Sequence, residues 1–532
     1  MKKLVSFVLS LLMLMSAGLV FAETDFNETG LPIVNEPITF RIMAPKSAGN
    51  AEFDEMPMIQ EQAARTGINI EWITVPNEMW RERMNLSLAS GDLPDAYYKA
   101  GLTDTDVITY GEQGVLIDLK PLIDEYGENI QKVFDARPNY LAGITLPDGS
   151  IPALPYVEDI RDMTDCQQFF YINQVWLDKL GLDVPTTPDE LFDVLMAFKT
   201  EDPNGNGKAD EIPMSFMFDN RTNGLYYLFG AFGDVDNPLH LVLHDNKDYA
   251  FTANTDGYKE GAKFLNKLYS NGLLDPEGFT QDGAAYTAKA RTEETVMGAA
   301  MTWRGDSFFG VDREPDYVLV EPLKGPEGHQ NWGGFLGDSM IKNVFAITSA
   351  CKEPEILFRW VDSLYEPDFA VRWNWGTAWE KNDEGIYVAT TPPDGYSTEE
   401  WSQLTTIRGY VPTAILNEYY DTILIQMPSS AWRCETINEV YRKYMPEIIY
   451  SMDNSGQPYG LLPDEVLRLN ELKYDITEYV KETLAKWIVE GGVDEDWDAY
   501  ISQLERLNLD EMMSIYQTGY NRFRGWEPYP EN

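Results

Sequence analysis

The sequence predicts an α/β protein of two or more domains, built on open, mostly parallel sheets flanked by helices and finished by a helical C-terminal region. Three observations carry this. A strand–helix–strand–helix–strand rhythm runs from Ile38 to Tyr98. The chain of 532 residues is too long for one core. Helical periodicity dominates roughly the last hundred residues.

Taken in order, Lys2 and Lys3 precede an apolar run from Leu4 to Met15, and Val20-Phe21-Ala22 offers small side chains at a cleavage junction. This reads as a signal peptide over 1–22, because the run is too short to span a membrane. No Cys stands at the junction, the first being Cys166. The expected product is exported, periplasmic or extracellular, and not lipid-anchored through its own N-terminus. Ile38–Met43 alternates as a first strand, 54–66 reads as a helix and Ile68–Trp72 as a second strand. A helix over 77–90 stops at Gly91, and a short strand follows Asp95. Ligands of open parallel sheets sit at the carboxyl ends of strands, so the segment after Asp95 is a candidate cleft wall. Phe169–Asn173 is a further strand. Thr187 caps the next helix, with Pro188 in its first turn. Asp256–Asn271 is helical, Met297–Trp303 is a buried strand ending on an aromatic, and 338–341 and 344–347 are strand-like. Residues 353–364, 463–488 and 497–524 are helical.

Asp202-Pro203-Asn204-Gly205-Asn206-Gly207-Lys208-Ala209-Asp210-Glu211 concentrates oxygen-bearing side chains in one short loop. Asp202, Asn204 and Asn206 alternate and converge when the chain curls, and Gly207 falls where the curl needs no Cβ. The start fits an EF-hand loop, which supplies hard oxygens to Ca²⁺. The end departs from it, since the twelfth position is Pro213. The candidate ligands are Asp202, Asn204, Asn206, Lys208, Asp210 and Glu211 within a loop spanning 202–213, and the expected Ca²⁺ is structural. The same residue types also make a plain turn.

Net charge is −46. This excludes nucleic acid and anionic lipid as partners and disfavours a polyanionic ligand. Cys166, Cys351 and Cys434 allow at most one disulfide, and the three His are scattered.

The segments "ASGDLPD" (Ala89–Asp95), "GVLIDL" (Gly114–Leu119), "DGSIPALP" (Asp148–Pro155) and "LGLDVPTTPDEL" (Leu180–Leu191) together resemble family 1 extracellular solute-binding proteins of ABC importers. The loop "DPNGNGKADEIP" is similar to that of the subgroup containing alginate- and oligosaccharide-binding proteins, where it holds Ca²⁺ away from the sugar. The resemblance implies a two-lobe, periplasmic-binding-protein-like fold of type II with discontinuous lobes. These are placed at 23–155 with 320–395, and 156–319 with 396–532. It also implies an oligosaccharide ligand, permease subunits as partners, a monomer and no catalysis.

Sugars offer flat CH faces to aromatic rings and hydroxyls to polar groups. Several of the 14 Trp lie in Gly-rich loops. The ligand candidates are Trp303, then Trp375, Trp432 and Trp332, with Arg304 and Asp306 beside Trp303. Tyr97, Asp95 and Tyr156 are candidates from the other lobe. Any one Trp is more often core than site. The competing functions are a secreted glycoside hydrolase, which needs only two carboxylates at the right separation, and a carbohydrate-binding protein without transport.

Overall fold

A computed structural model describes residues 25–525 apart from 48, 159–165, 167, 246, 334–339, 391–392, 394–397, 417, 420–422, 424–431, 433–434 and 446–459. The expected signal peptide and Cys434 lie outside the described residues. No described helix is long and apolar enough to cross a membrane.

The chain opens on strand β1 (Ile38–Lys46), whose β-branched and aromatic residues favour a pleated, half-buried surface. The helix Pro57–Thr66 follows, started by proline and stopped by Gly67 at φ 77°. It returns the chain to β2 (Ile68–Pro76), parallel to β1 from Ile38↔Ile68 to Lys46↔Pro76. The helix Trp80–Ser90, stopped by Gly91, leads to β3 (Ala96–Tyr98), parallel to β1 on its other side. After several short helices comes β4 (Leu154–Glu158).

The chain then builds a second sheet. It contains β5 (Phe169–Asn173), β6 (Ile212–Ser215), β9 (Met297–Thr302) and β10 (Tyr317–Leu319), in the order β10-β5-β9-β6. A separate hairpin of β7 (Leu241–His244) and β8 (Asp248–Phe251) lies between β6 and β9. Strand β11 (Met340–Ile347) goes back to the first sheet. A hairpin of β12 (Trp379–Lys381) and β13 (Tyr387–Ala389) precedes β14 (Ala414–Ile415). The first sheet has the order β14-β4-β11-β3-β1-β2. Its segments therefore extend past residue 395. Both sheets are mixed: β11 runs antiparallel to β3 and β4, and in the second sheet β6 pairs parallel with β9 while β5 pairs antiparallel with β9 and β10.

The two strand-like runs expected at 338–341 and 344–347 meet, over the described residues, in the one strand Met340–Ile347, with its register shifted between Ile341 and Phe345. The reason is polar. Lys342 Nζ reaches Asp104 at 2.6 Å and Asn343, at φ 61°, donates to the same carboxylate at 2.9 Å, which draws the bulge out of the ladder.

Each sheet has its own core. Phe40, Ile42, Tyr98, Leu154, Phe345, Trp360 and Trp373 belong to the first; Phe169, Ile172, Leu195, Ala299 and Trp487 belong to the second. The C-terminal helices Pro463–Glu490, Val493–Arg506 and Leu509–Phe523 pack into the second core. Val466, Leu469, Leu472, Ile476, Val480, Leu484 and Trp487 form a buried stripe at three- and four-residue spacing. Ile108, on the helix Asp104–Glu112, joins this second core although the strands beside it belong to the first sheet.

The first core contains a fully buried carboxylate. Asp362 ends the helix Pro354–Asp362 and accepts from the backbone N–H groups of Asn129 (3.1 Å) and Ile130 (2.9 Å) and from Asn129 Nδ2 (3.0 Å). Those N–H groups open the helix Glu128–Ala136, which has no side-chain cap of its own. Asp362 thus caps a helix far away in sequence.

Candidate functional site

Because β1, β2 and β3 run parallel, their carboxyl ends open on one side. The residues just beyond them, Ser47, Asn77, Lys99 and Gly101, line a cavity of about 550 Å³, closed on its far rim by Arg408, Gly409 and Tyr410. Asn77 Nδ2 donates to Ser47 Oγ at 2.7 Å. Lys99, at φ 51°, donates from Nζ to the Arg408 carbonyl at 2.7 Å, and burial pushes its amine down to about 8. The Arg408 guanidinium lies 4.4 Å from the Trp375 ring centroid, a cation–π contact. Beside it, Tyr156 donates to Glu158 at 2.6 Å and accepts from Asn374 Nδ2 at 3.2 Å. Burial raises the Glu158 carboxyl, while the Tyr156 hydrogen bond and Arg408 pull it back.

Of the first-lobe candidates, Tyr156 and Trp375 meet in this cluster. Asp95 and Tyr97 do not. Asp95 sits at the amino end of β3, where its carboxylate accepts from Arg41 N at 2.7 Å and fixes β3 against β1. Tyr97 is fully buried and its hydroxyl meets Ser87 Oγ at 2.8 Å; burial pushes the phenol up to about 12. The wall after Asp95 is made by Lys99 and Gly101 instead, at the strand's other end.

In the second sheet, Trp303 follows the carboxyl end of β9 and is half-buried. Arg304 and Asp306 bind each other through Nε–Oδ1 at 2.7 Å and a second, shorter Nη2–Oδ2 contact. The mutual hydrogen bonds raise the guanidinium and lower the carboxyl. They form one bidentate pair and not two independent groups. Trp432 is half-buried, with its ring edge-on to Phe169 at 5.6 Å. Trp332 is a core residue at 1% exposure, stacked on Tyr441 at 5.5 Å, with Nε1 donating to the Gln168 carbonyl at 3.2 Å. Its neighbour Gly333, at φ 79°, packs so closely on Met445 that a Cβ would come within 2.8 Å of that side chain.

Sequence reasoning did not find Lys99, Glu158, Arg408, Tyr410 or Arg221. Arg221 lies on the second lobe's side; burial lowers its guanidinium, and its electrostatic neighbours are Tyr227 and Tyr410. The available signal was Arg408-Gly409-Tyr410, a glycine-broken turn between a helix and a strand that carries both a cation and an aromatic.

The 202–211 loop precedes β6 at its amino end, on the opposite side of the second sheet from Trp303. Asp202 gathers the backbone N–H groups of Gly205 (3.0 Å), Asn206 (3.1 Å) and Gly207 (3.1 Å). Asn204 and Asn206 side chains converge on Asp210 at 3.1–3.2 Å. Glu294, next to β9, reaches Asn206 Nδ2 at 2.9 Å. Glu211 has one buried carboxylate oxygen with no hydrogen-bond partner, and burial and its acidic neighbours raise its pKa. No cluster of three or more His, Cys, Asp or Glu able to hold a metal occurs among the described residues. The loop's side-chain oxygens come instead from the carboxylates of Asp202, Asp210 and Glu211 mixed with the amides of Asn204 and Asn206. An orphaned buried carboxylate oxygen within such a hard-oxygen set fits a hard cation.

Residues 47–370 match the family model described as bacterial extracellular solute-binding protein. The chain is 34% identical over 483 residues to the fructooligosaccharide ABC transporter substrate-binding protein FusA of Streptococcus pneumoniae serotype 4, covering 88% of each chain. FusA in complex with kestose superposes with a TM-score of 0.80 at 32% identity, over 92% of this chain and 100% of that one. An EF-hand mutant of FusA in complex with fructo-nystose gives the same values. An HMO-binding, ABC-transporter-associated solute-binding protein from Bifidobacterium longum infantis superposes at 0.77 with 25% identity, over 92% and 99% of the two chains.

Proposed function

Because this chain belongs to the bacterial extracellular solute-binding protein family, we propose that it is the capture component of an ABC-type importer, binding a neutral oligosaccharide of the fructooligosaccharide kind. The single observation that carries the reading is the cavity at the carboxyl ends of β1–β3, rimmed by the rings of Trp80 and Tyr410 and by the donors of Asn77, Lys99 and Arg408. The similarity to FusA supports the ligand class, and the net charge of −46 disfavours a polyuronate. One lobe is the first sheet with its core, the other the second sheet with the C-terminal helices. In this reading the two lobes close on the ligand by hinge motion.

The roles follow from chemistry. Tyr156 and Trp375 build the first-lobe wall, with Arg408 and Lys99 as hydroxyl readers. Trp303 and Trp432 offer rings from the second lobe, and the Arg304–Asp306 pair holds the turn after Trp303. Ca²⁺, held by Asp202, Asn204, Asn206, the Lys208 carbonyl, Asp210 and Glu211, would fix the loop and take no part in capture. The ligand passes unaltered to permease subunits. The protein works outside the membrane as an exported monomer.

Calorimetric titration with kestose, nystose and trigalacturonate tests this. Kestose or nystose should bind one to one with a Kd of roughly micromolar or tighter and remain chemically intact. Trp303→Ala should weaken that binding about tenfold while the ligand-free melting temperature stays unchanged. Binding of trigalacturonate alone, or turnover of the sugar, would overturn the reading.

A further inference from the structure

Tyr410 differs from Trp80, the other aromatic residue lining the cavity, and from Tyr156, whose ring it meets. It is 59% exposed, whereas Tyr156 and Trp80 are buried. Its backbone is left-handed at φ 54°, directly after Gly409 at φ 72°. A non-glycine residue in that region costs free energy, and such strain persists where the surroundings enforce it. The surroundings here do enforce it. Lys99 Nζ holds the Arg408 carbonyl at 2.7 Å, Asn374 Oδ1 accepts from Gly409 N at 3.4 Å, and the Arg408 guanidinium is laid on Trp375. The Tyr156 ring meets Tyr410 edge-on at 6.3 Å and 83°. The loop is thus clamped on several sides while its one ring is left uncovered in the cavity rim. Trp375, by contrast, has one face occupied by Arg408.

We infer that Tyr410 is the ring on which a sugar stacks in this cavity, the strained turn serving to present its face toward the second lobe. The inference rests on the capture reading above. A pyranose or furanose ring laid on the phenol would leave its hydroxyls beside Lys99 and Arg408, which line the same cavity. Stacking needs the ring and not the hydroxyl, so the conservative variant separates the two.

Two measurements test it. In the wild-type protein, tetranitromethane followed by peptide mapping should nitrate Tyr410, and saturating kestose should protect it. In titrations with kestose, Tyr410→Ala should lose about tenfold or more in affinity, and Tyr410→Phe should stay within about twofold of wild type. Equal nitration with and without bound kestose, or undiminished affinity in Tyr410→Ala, would overturn this inference and leave the capture reading standing. Failure of the wild type to bind kestose, nystose or trigalacturonate would overturn both.

Discussion

Chelation of the calcium-loaded protein is expected to lower its melting temperature by on the order of 5–10 °C while changing kestose affinity by less than about twofold. The first half follows from mass action: a cation that binds only the folded loop stabilises it by about 4 kcal/mol when present at a thousand times its Kd. The second half follows from position. The loop stands at the amino end of β6, and Trp303 stands beyond the carboxyl end of β9, the strand parallel to it. A strand of this kind spans roughly 13–20 Å, so a cation in the loop would be too remote to touch Trp303, and no residue of the loop lines the cavity. Asp202→Ala should reproduce the loss and make the melt insensitive to chelator, because Asp202 gathers three backbone N–H groups of the loop. A melt of the calcium-loaded wild type that chelator leaves unchanged would remove the calcium assignment.

Asp362→Ala is expected to destabilise the protein by about 3–5 kcal/mol in denaturant titration. The carboxylate is fully buried; its loss orphans the first N–H groups of Glu128–Ala136 and leaves the buried Arg359, 3.8 Å away, without its counter-charge. Asp362→Asn should be milder, and its deficit should depend on pH. Burial pushes the folded-state carboxyl up to about 6, from an ordinary 3.8. A raised acid contributes stability that is complete below the unfolded pKa and is lost as pH rises through the folded one. The wild type should therefore lose ground to Asp362→Asn between about pH 4 and pH 6, by about 2–3 kcal/mol in total. A difference that stays constant across that window would show that the carboxyl is not shifted.

How much of this was legible depended on how local each feature is. The candidate calcium loop lies within ten consecutive residues, so its oxygen-bearing side chains show in one short window. The strands and helices of 38–98 were equally local, since a period of two or of 3.6 shows within a short window. The cavity was not local. Ser47, Asn77, Lys99 and Arg408 come from four separated segments, and their common property is that each follows a strand or faces one that does. Asp95 and Tyr97 were chosen from the right segment, but the strand between them and Lys99 points its start away from the opening. Trp332 shows the limit of composition. Glycine beside tryptophan suggests an exposed loop, yet the ring's large apolar area found Tyr441 and Tyr227 in the core. The bulge at Lys342–Asn343 was invisible because its cause, Asp104, lies far away in sequence.

The first sheet's order also governs when it can exist. Between β3 and β4, both made early, lies the slot for β11, with β14 at the edge beyond β4. A ribosome has to polymerise the whole second sheet before that slot is filled, and the helices that seal the second core come last of all. For most of its synthesis the nascent chain therefore has no finished half to lock up.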